Sequence, residues 1–114
     1  MKKFNKITGG IGEIKAQIFL KKKKYKLLET NYSCALGEID IIALQKDVIV
    51  FVEVKTRTSE EFGRPCEAVT PYKQNKIRSV ASYYLMLKGW TERNSRFDVI
   101  EVLDDEINHI ENAF

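Results

Sequence analysis

The sequence contains few of the residues that build disulfide frameworks or zinc sites. It has two cysteines, Cys34 and Cys66, which are far apart and form no C-x-x-C motif, and one histidine, His109. Zinc sites are built mainly from cysteine and histidine, so we expect no zinc, and any bound metal must be held by oxygen ligands. We interpret both cysteines as free thiols that pack as small apolar side chains.

Long hydrophobic runs are also missing. No stretch approaches the roughly 18 consecutive apolar residues that a membrane span requires, and the basic N-terminus continues into Thr8-Gly9-Gly10 instead of the apolar core of a signal peptide. We therefore expect a cytoplasmic protein that neither enters a membrane nor carries a small-molecule cofactor. With 114 residues, of which 44% are hydrophobic and 31% charged, the chain fits one domain over residues 1–114. We expect its basic N-terminal segment, residues 1–8, to be flexible.

The net charge of +3 is small, but the positive charge is concentrated at one end of the sequence. The lysines of this block are Lys2, Lys3, Lys6, Lys15, Lys21, Lys22, Lys23, Lys24 and Lys26. Lysines at the end of a helix are favoured by the helix dipole, which explains part of the block. The same charges would also attract phosphate. The sequence leaves both interpretations open.

Hydrophobic periodicity predicts an α/β domain. Ile11, Ile14 and Ile18 recur at helical spacing, and Gly89 follows a second helical pattern. The predicted segments are a helix over about 9–23, strands over 25–31, 36–44 and 48–54, a helix over 70–88, a strand over 96–103, and a short strand or tail over 107–110. The order α-β-β-β-α-β with a small addition predicts a mixed sheet flanked by helices. The long apolar runs of the second and third strands indicate that they are central in that sheet.

Charged side chains interrupt these two most apolar segments. Burying an unpaired ion costs several kcal/mol, so such residues need a partner or a purpose. Glu53 and Lys55 are two residues apart on one strand and therefore project from the same face. Asp40 lies on the preceding strand.

The predicted register between the two strands brings the acidic residues together. The polar connection Gln45-Lys46-Asp47 favours a hairpin. If Leu44 pairs with Ile49, Asp40 lies directly opposite Glu53, with Cβ atoms about 4.5–5.5 Å apart. Two neighbouring carboxylates repel each other unless a cation lies between them. Oxygen ligands at this spacing favour a hard divalent ion, Mg²⁺ or Mn²⁺.

Lys55 adds the group that such a metal site needs for hydrolysis. An ammonium beside the carboxylates can orient an attacking water and offset charge on a phosphoryl oxygen. The set predicts Asp40 and Glu53 as metal ligands and Lys55 as the catalytic lysine of a phosphodiester hydrolase. The alternative is that the three residues form a structural ion-pair network.

These residues also carry a resemblance to a known superfamily. An aspartate followed by a strand-borne Glu-x-Lys, between two helices, resembles the PD-(D/E)-x-K nucleases and their restriction-endonuclease-like fold. Ile39 stands where that superfamily has proline before the aspartate. More narrowly, several segments are similar to the bacterial YraN-like family, which is described as endonuclease-like: Gly37–Ala43, Phe51–Arg57, Gly63–Pro65, Glu67–Val69 and Phe97–Val99.

The resemblance implies a divalent-metal-dependent DNA endonuclease. Asp40, Glu53 and Glu13, which matches a glutamate on the first helix of such nucleases, would be the metal ligands and act in catalysis with Lys55. Architectural relatives among the archaeal Holliday-junction resolvases extend this expectation to branched DNA. Glu13 has the alternative of being a solvated helix residue. Glu38 belongs either to the outer part of the site or to a hydrogen bond at the start of its strand.

Several basic residues are placed to meet DNA phosphates, which give affinity without sequence specificity. They are Arg57, Arg64, Lys73, Lys76 and Arg78, and each has the alternative of being an ordinary surface charge. A homodimer would suit a nuclease that cuts two strands. The alternative function is a nucleic-acid-binding or partner-binding module whose nuclease site is weak or silent.

Overall fold

The computed structural model of the protein describes the backbone of residues 2–57 and 69–114 and the side chains of residues 10–57 and 69–114. Two helices and five strands follow one another in these ranges. They are α1 Lys2–Lys22, β1 Lys26–Cys34, β2 Gly37–Gln45, β3 Val48–Arg57, α2 Pro71–Lys88, β4 Ser95–Leu103 and β5 Glu106–Ile110. The strands form one sheet in the order β1-β2-β3-β4-β5. Only β3 and β4 pair in parallel, and the predicted mixed α/β fold is confirmed.

The apolar runs of β2 and β3 form inner strands of the sheet, as predicted. Along β3, Ile49 and Phe51 pack in one buried cluster with α2, whereas Val50 and Val52 pack in a second cluster with α1. Side chains of a strand alternate between faces, so a strand covered on both faces must be apolar throughout. The two helices therefore lie on opposite faces of β3.

Helix α2 has well-defined ends that match the predicted range closely. The Oγ1 of Thr70 accepts a hydrogen bond of 3.2 Å from the backbone N–H of Lys73, and Pro71 occupies the first helical position. Gly89 ends the helix in a left-handed conformation at φ 72°, which glycine adopts without steric cost. These caps fix where the helix begins and therefore where Lys73 stands.

Helix α1 begins at Lys2, earlier than the predicted start near residue 9. Gly9, Gly10 and Gly12 lie inside it. At Gly12, an added Cβ would lie 2.1 Å from the Oγ1 of Thr56 on β3. Glycine at this position lets the helix lie against the side chain of Thr56, which any larger residue would force to move. The expected flexibility of residues 1–8 remains a prediction.

The isoleucines that locate α1 do not form its buried face. Ile11, Ile14 and Ile18 are each at least half exposed, whereas Ala16 and Leu20 are fully buried against the sheet. Helical spacing establishes the helix, but it does not identify the side that meets the sheet. The close approach of Gly12 to β3 turns the face with Ala16 and Leu20 towards the sheet.

Strand β3 continues to Arg57, beyond the predicted end at Val54, because its parallel pairing with β4 extends to Arg57 and Leu103. Lys55 therefore lies within regular strand structure.

Cys34 is a free, partly buried thiol that packs beside the α2-side cluster, as predicted. Cys66 lies outside the described residues. Within the described ranges, no helix is long and apolar enough to cross a membrane.

Candidate metal centre

The register between β2 and β3 is the predicted one, but the pairing ends earlier than predicted. Leu44 pairs with Ile49 as expected, and the ladder continues only to Ile41 and Val52. The sequence-based expectation of one further pair, with Asp40 opposite Glu53, is therefore not met. The two strands separate at this point, although both continue through their pairing with β1 and β4.

Asp40 lies where the strands separate. Its Oδ2 accepts a hydrogen bond of 2.8 Å from the backbone N–H of Val54, so its carboxylate takes the place of a backbone carbonyl from the neighbouring strand. Ile39 and Ile41 on either side are both buried, but in clusters on opposite faces of the sheet. Regular alternation would put them on one face. The interruption falls at Asp40 and turns its side chain towards β3.

Glu53 is buried, with 6% of its side chain exposed, and it is paired with two lysines. Its Oε2 lies 2.8 Å from the Nζ of Lys73 and 3.4 Å from the Nζ of Lys55. Lys55 comes from the same strand, as predicted, whereas Lys73 reaches the carboxylate from the first turn of α2. Sequence reasoning gave Lys73 a phosphate as its partner and did not identify this contact.

The carboxyl group of Asp40 has a strongly raised pKa. Burial and the charge of Glu53 raise the pKa of Asp40 to about 8, although the hydrogen bond from Val54 opposes the shift. Ionising Asp40 in these surroundings is therefore costly. A divalent ion would offset that cost.

Glu13 approaches the same carboxylates from α1. Burial raises the pKa of its carboxyl, the side chain of Asn31 opposes this by hydrogen bonding, and the charges of Glu38 and Glu53 raise it further. A hydrogen bond with Asp40 lowers the pKa of Glu13 slightly. The predicted member from the first helix is thus brought to the acidic group, although it is 27 residues from Asp40 in sequence.

The donor chemistry of this group fits a hard divalent cation, because it consists of carboxylate oxygens. Its geometry fits only in part. In the part of the chain that the structure describes, no three carboxylate, histidine or cysteine side chains converge closely enough to hold a metal ion. The Glu53 carboxylate instead contacts Lys73 and Lys55. Two ammonium groups therefore lie beside the carboxylate, where a metal ion would bind.

A cleft of about 370 Å³ opens beside the acidic group, between β2 and the start of α2. Residues with polar side chains dominate its lining: Glu38, Asp40 and Glu53 from the strands, and Thr70, Tyr72, Lys73 and Lys76 from the helix side. Lys73 and Lys76 were predicted to meet phosphate. Glu38 is exposed at the cleft, and Tyr72 was not identified from the sequence because nothing in its spacing distinguished it from other tyrosines.

The remaining predicted phosphate contacts lie elsewhere. Arg57 is mostly buried and forms an ion pair with Glu101 on β4. Arg78 donates a hydrogen bond of 2.9 Å to the backbone carbonyl of Phe114. Arg64 lies outside the described residues. Of this basic set, the structure therefore places only Lys73 and Lys76 at the cleft, among the residues it describes.

Comparison with known sequences identifies relatives over the full length of the chain. The model of the uncharacterised protein family UPF0102 matches residues 12–102. A UPF0102 protein of Caldanaerobacter subterraneus is 52% identical, with both chains covered completely. Another from Alkaliphilus oremlandii is 54% identical over 96% of this chain and 99% of its own. A third from Clostridioides difficile is 51% identical over 96% of this chain and 98% of its own.

Proposed function

This chain belongs to the uncharacterised protein family UPF0102, and we propose that it is a divalent-metal-dependent endonuclease that hydrolyses phosphodiester bonds of DNA. One observation carries the proposal. Asp40, Glu53 and Lys55 meet where β2 and β3 separate, and Glu13 reaches them from α1. The resemblance to PD-(D/E)-x-K nucleases assigns these same four residues to a metal and catalytic site.

The surroundings of each residue support the role that we propose for it in metal binding or catalysis. Asp40, Glu53 and Glu13 would supply the oxygen ligands, and the N–H of Val54 fixes the orientation of the Asp40 carboxylate. When bound, Mg²⁺ or Mn²⁺ supplies the positive charge that acidifies a water and stabilises the phosphoryl oxygens. Lys55, whose side chain is 25% exposed, can orient the attacking water and stabilise negative charge on the phosphate.

Lys73 acts in this scheme as a temporary partner for Glu53. Its ammonium lies 2.8 Å from the carboxylate and, together with the more distant ammonium of Lys55, offsets the buried negative charge. Its side chain is also nearly half exposed at the cleft. With a divalent cation at Glu53, the Lys73 ammonium would be free to meet a DNA phosphate, which was its predicted partner.

The test combines calorimetric titration with Mn²⁺ and cleavage assays on duplex, single-stranded, flapped and four-way-junction DNA. We expect cleavage with Mg²⁺ or Mn²⁺ and none with EDTA. Glu53→Gln should lose both the heat of metal binding and cleavage. Lys55→Met should keep the heat and lose cleavage by about 100-fold or more.

Matched controls are Glu106→Gln on β5 and Lys26→Met on β1, which remove the same charges at exposed positions away from the site. Both should behave like the unchanged protein. Cleavage that survives Glu53→Gln and Lys55→Met together would refute the proposal, because another site or a contaminant would then be responsible.

A second candidate function is a nucleic-acid-binding or partner-binding module with a weak or silent site. The observation that favours it is the pairing of Glu53 with two lysines, which satisfies the carboxylate without a metal. In this case Mn²⁺ should give no heat and no rise in melting temperature. DNA binding would persist in Asp40→Asn and would fall with salt.

Homodimer formation and cytoplasmic location remain predictions.

A further inference from the structure

The helix side of the cleft presents an aromatic ring and two lysines. Tyr72, Lys73 and Lys76 all belong to the first turns of α2 and line the cleft that contains Asp40 and Glu53. Tyr72 and Lys76 are four residues apart and therefore neighbours on the helix surface. The Nζ of Lys76 lies 5.5 Å from the centre of the Tyr72 ring. Ring and ammonium thus form one surface beside the acidic group.

Tyr72 has no part in the core. It is 72% exposed, whereas Tyr84 on the same helix is buried and packs edge-on against Phe51 and Tyr32. A single exposed aromatic residue is common on protein surfaces and by itself indicates nothing. What distinguishes Tyr72 is its position, because its ring borders the same cleft as two lysines and the proposed catalytic carboxylates.

We propose that Tyr72 stacks on an unpaired base of a nucleic-acid strand whose backbone phosphate is held by Lys76. This inference rests on the proposed function, since it names the form of substrate that the acidic group would meet. Aromatic side chains stack on bases of any sequence, and adjacent basic side chains hold the backbone. Tyr72 and Lys76 provide one of each, with the ammonium 5.5 Å from the centre of the ring.

The stacking surface selects for substrate structure. In a continuous duplex, both faces of each base are covered by neighbouring bases, so the ring of Tyr72 has no partner. A base at a flap, junction, gap or single-stranded end has a free face. The protein should therefore bind nucleic acids with an unpaired nucleotide more tightly than continuous duplexes of the same length and charge.

The experiment measures fluorescence anisotropy of labelled oligonucleotides bound to the full-length protein, at low salt and with EDTA so that no cleavage occurs. The probes are a single strand, a blunt duplex and a duplex with a single-stranded flap, each made as DNA and as RNA. The variants are Tyr72→Ala, Tyr72→Phe, which keeps the ring, and Leu87→Ala, which truncates another exposed side chain (59% exposed) far along the same helix.

We expect Tyr72→Ala to weaken binding of the single strand and the flap about tenfold, with binding of the blunt duplex changed less than about twofold. Tyr72→Phe and Leu87→Ala should bind like the unchanged protein. Binding that depends on Tyr72 supports the stacking site, whether the probe is DNA or RNA. The probe type that binds more tightly identifies the nucleic acid.

The inference would be overturned by equal binding of Tyr72→Ala and the unchanged protein, by an equal loss for duplex and single strand, or by no binding of single strands at all. Loss in Tyr72→Phe would also overturn it, because it would assign the effect to the hydroxyl. Cleavage in Mg²⁺ is measured separately. Cleavage without dependence on Tyr72 removes only this inference, whereas Tyr72-dependent binding without cleavage removes the nuclease proposal and leaves a binding site.

Discussion

The Asp40 carboxylate accepts a hydrogen bond of 2.8 Å from the backbone N–H of Val54, across the point where β2 and β3 separate. A side chain thereby replaces a backbone acceptor at the end of a strand pair. One residue thus has two tasks, since it satisfies the backbone of β3 and supplies a carboxylate to the proposed metal site. The two tasks require different atoms and can be separated by substitution.

Substitutions of Asp40 should affect folding and metal binding separately. Asp40→Asn keeps a carbonyl oxygen that can accept from Val54, so we expect a free energy of unfolding within about 1 kcal/mol of the unchanged protein. Asp40→Leu leaves that N–H without a partner and should cost about 1–3 kcal/mol. Urea unfolding measures both values, and calorimetry should show that both variants lose Mn²⁺ binding. Equal stability of the two variants would contradict a structural part for this hydrogen bond.

Lys73 should compete with a divalent ion for Glu53. Because the ammonium of Lys73 lies 2.8 Å from the Glu53 carboxylate, its removal frees an oxygen that a metal can use. We expect Lys73→Met to bind Mn²⁺ about tenfold more tightly, a difference of about 1.4 kcal/mol, as measured by calorimetry.

The matched control for this prediction is Lys76→Met, one turn along on the same cleft. It removes the same charge from a residue for which the structure shows no ion pair with Glu53, and its Mn²⁺ affinity should change by less than about twofold. Equal tightening in both variants would mean that general charge, and not the contact with Glu53, controls metal affinity.

Gly12 should be essential for the packing of α1 on β3. Alanine at this position would place a Cβ 2.1 Å from the Oγ1 of Thr56, and such overpacking costs about 1–3 kcal/mol. Thr56→Ala removes the clashing atom, so the double variant should recover part of the loss in urea unfolding. Gly10, for which an added Cβ meets nothing within 4 Å, provides the control, and Gly10→Ala should not destabilise the protein. Additive effects of Gly12→Ala and Thr56→Ala would contradict the contact.

The buried carboxylate of Asp98 should make stability depend on acid pH. Burial acts to raise the pKa of Asp98, but hydrogen bonds with His109, Arg96 and the N–H of Asn112 outweigh it and hold the pKa below its usual value. A carboxyl with a lowered pKa stabilises the fold above its unfolded pKa, about 3.9, and this contribution is lost as pH falls towards the folded value.

Asp98→Asn isolates this contribution, because it removes the titrating group. At pH 7 the substitution removes a fully buried carboxylate from its ion pair with Arg96 and should cost about 3–5 kcal/mol. The difference in unfolding free energy from the unchanged protein should shrink as pH is lowered below about 4, as measured by urea unfolding at several pH values. A difference that grows in acid would contradict the assignment.

Local features of the sequence determined the segments of the fold. The turn at Gln45–Asp47 and the apolar runs on either side set the pairing of Leu44 with Ile49, because a hairpin register depends on residues close in sequence. Thr70, Pro71 and Gly89 likewise set the limits of α2 through hydrogen bonds and backbone angles of neighbouring residues. The spacing of Glu53 and Lys55 on one strand followed from strand geometry alone.

The tertiary structure decided the arrangement of the candidate site. Asp40 turns towards Val54 because the pairing of β2 and β3 ends one residue earlier than a regular ladder would. Lys73 meets Glu53 because α2 packs over that face of the sheet, and Glu13 arrives because Gly12 lets α1 approach β3. These relationships join residues far apart in the chain, and they depend on how helices pack on the sheet, which hydrophobic periodicity does not specify.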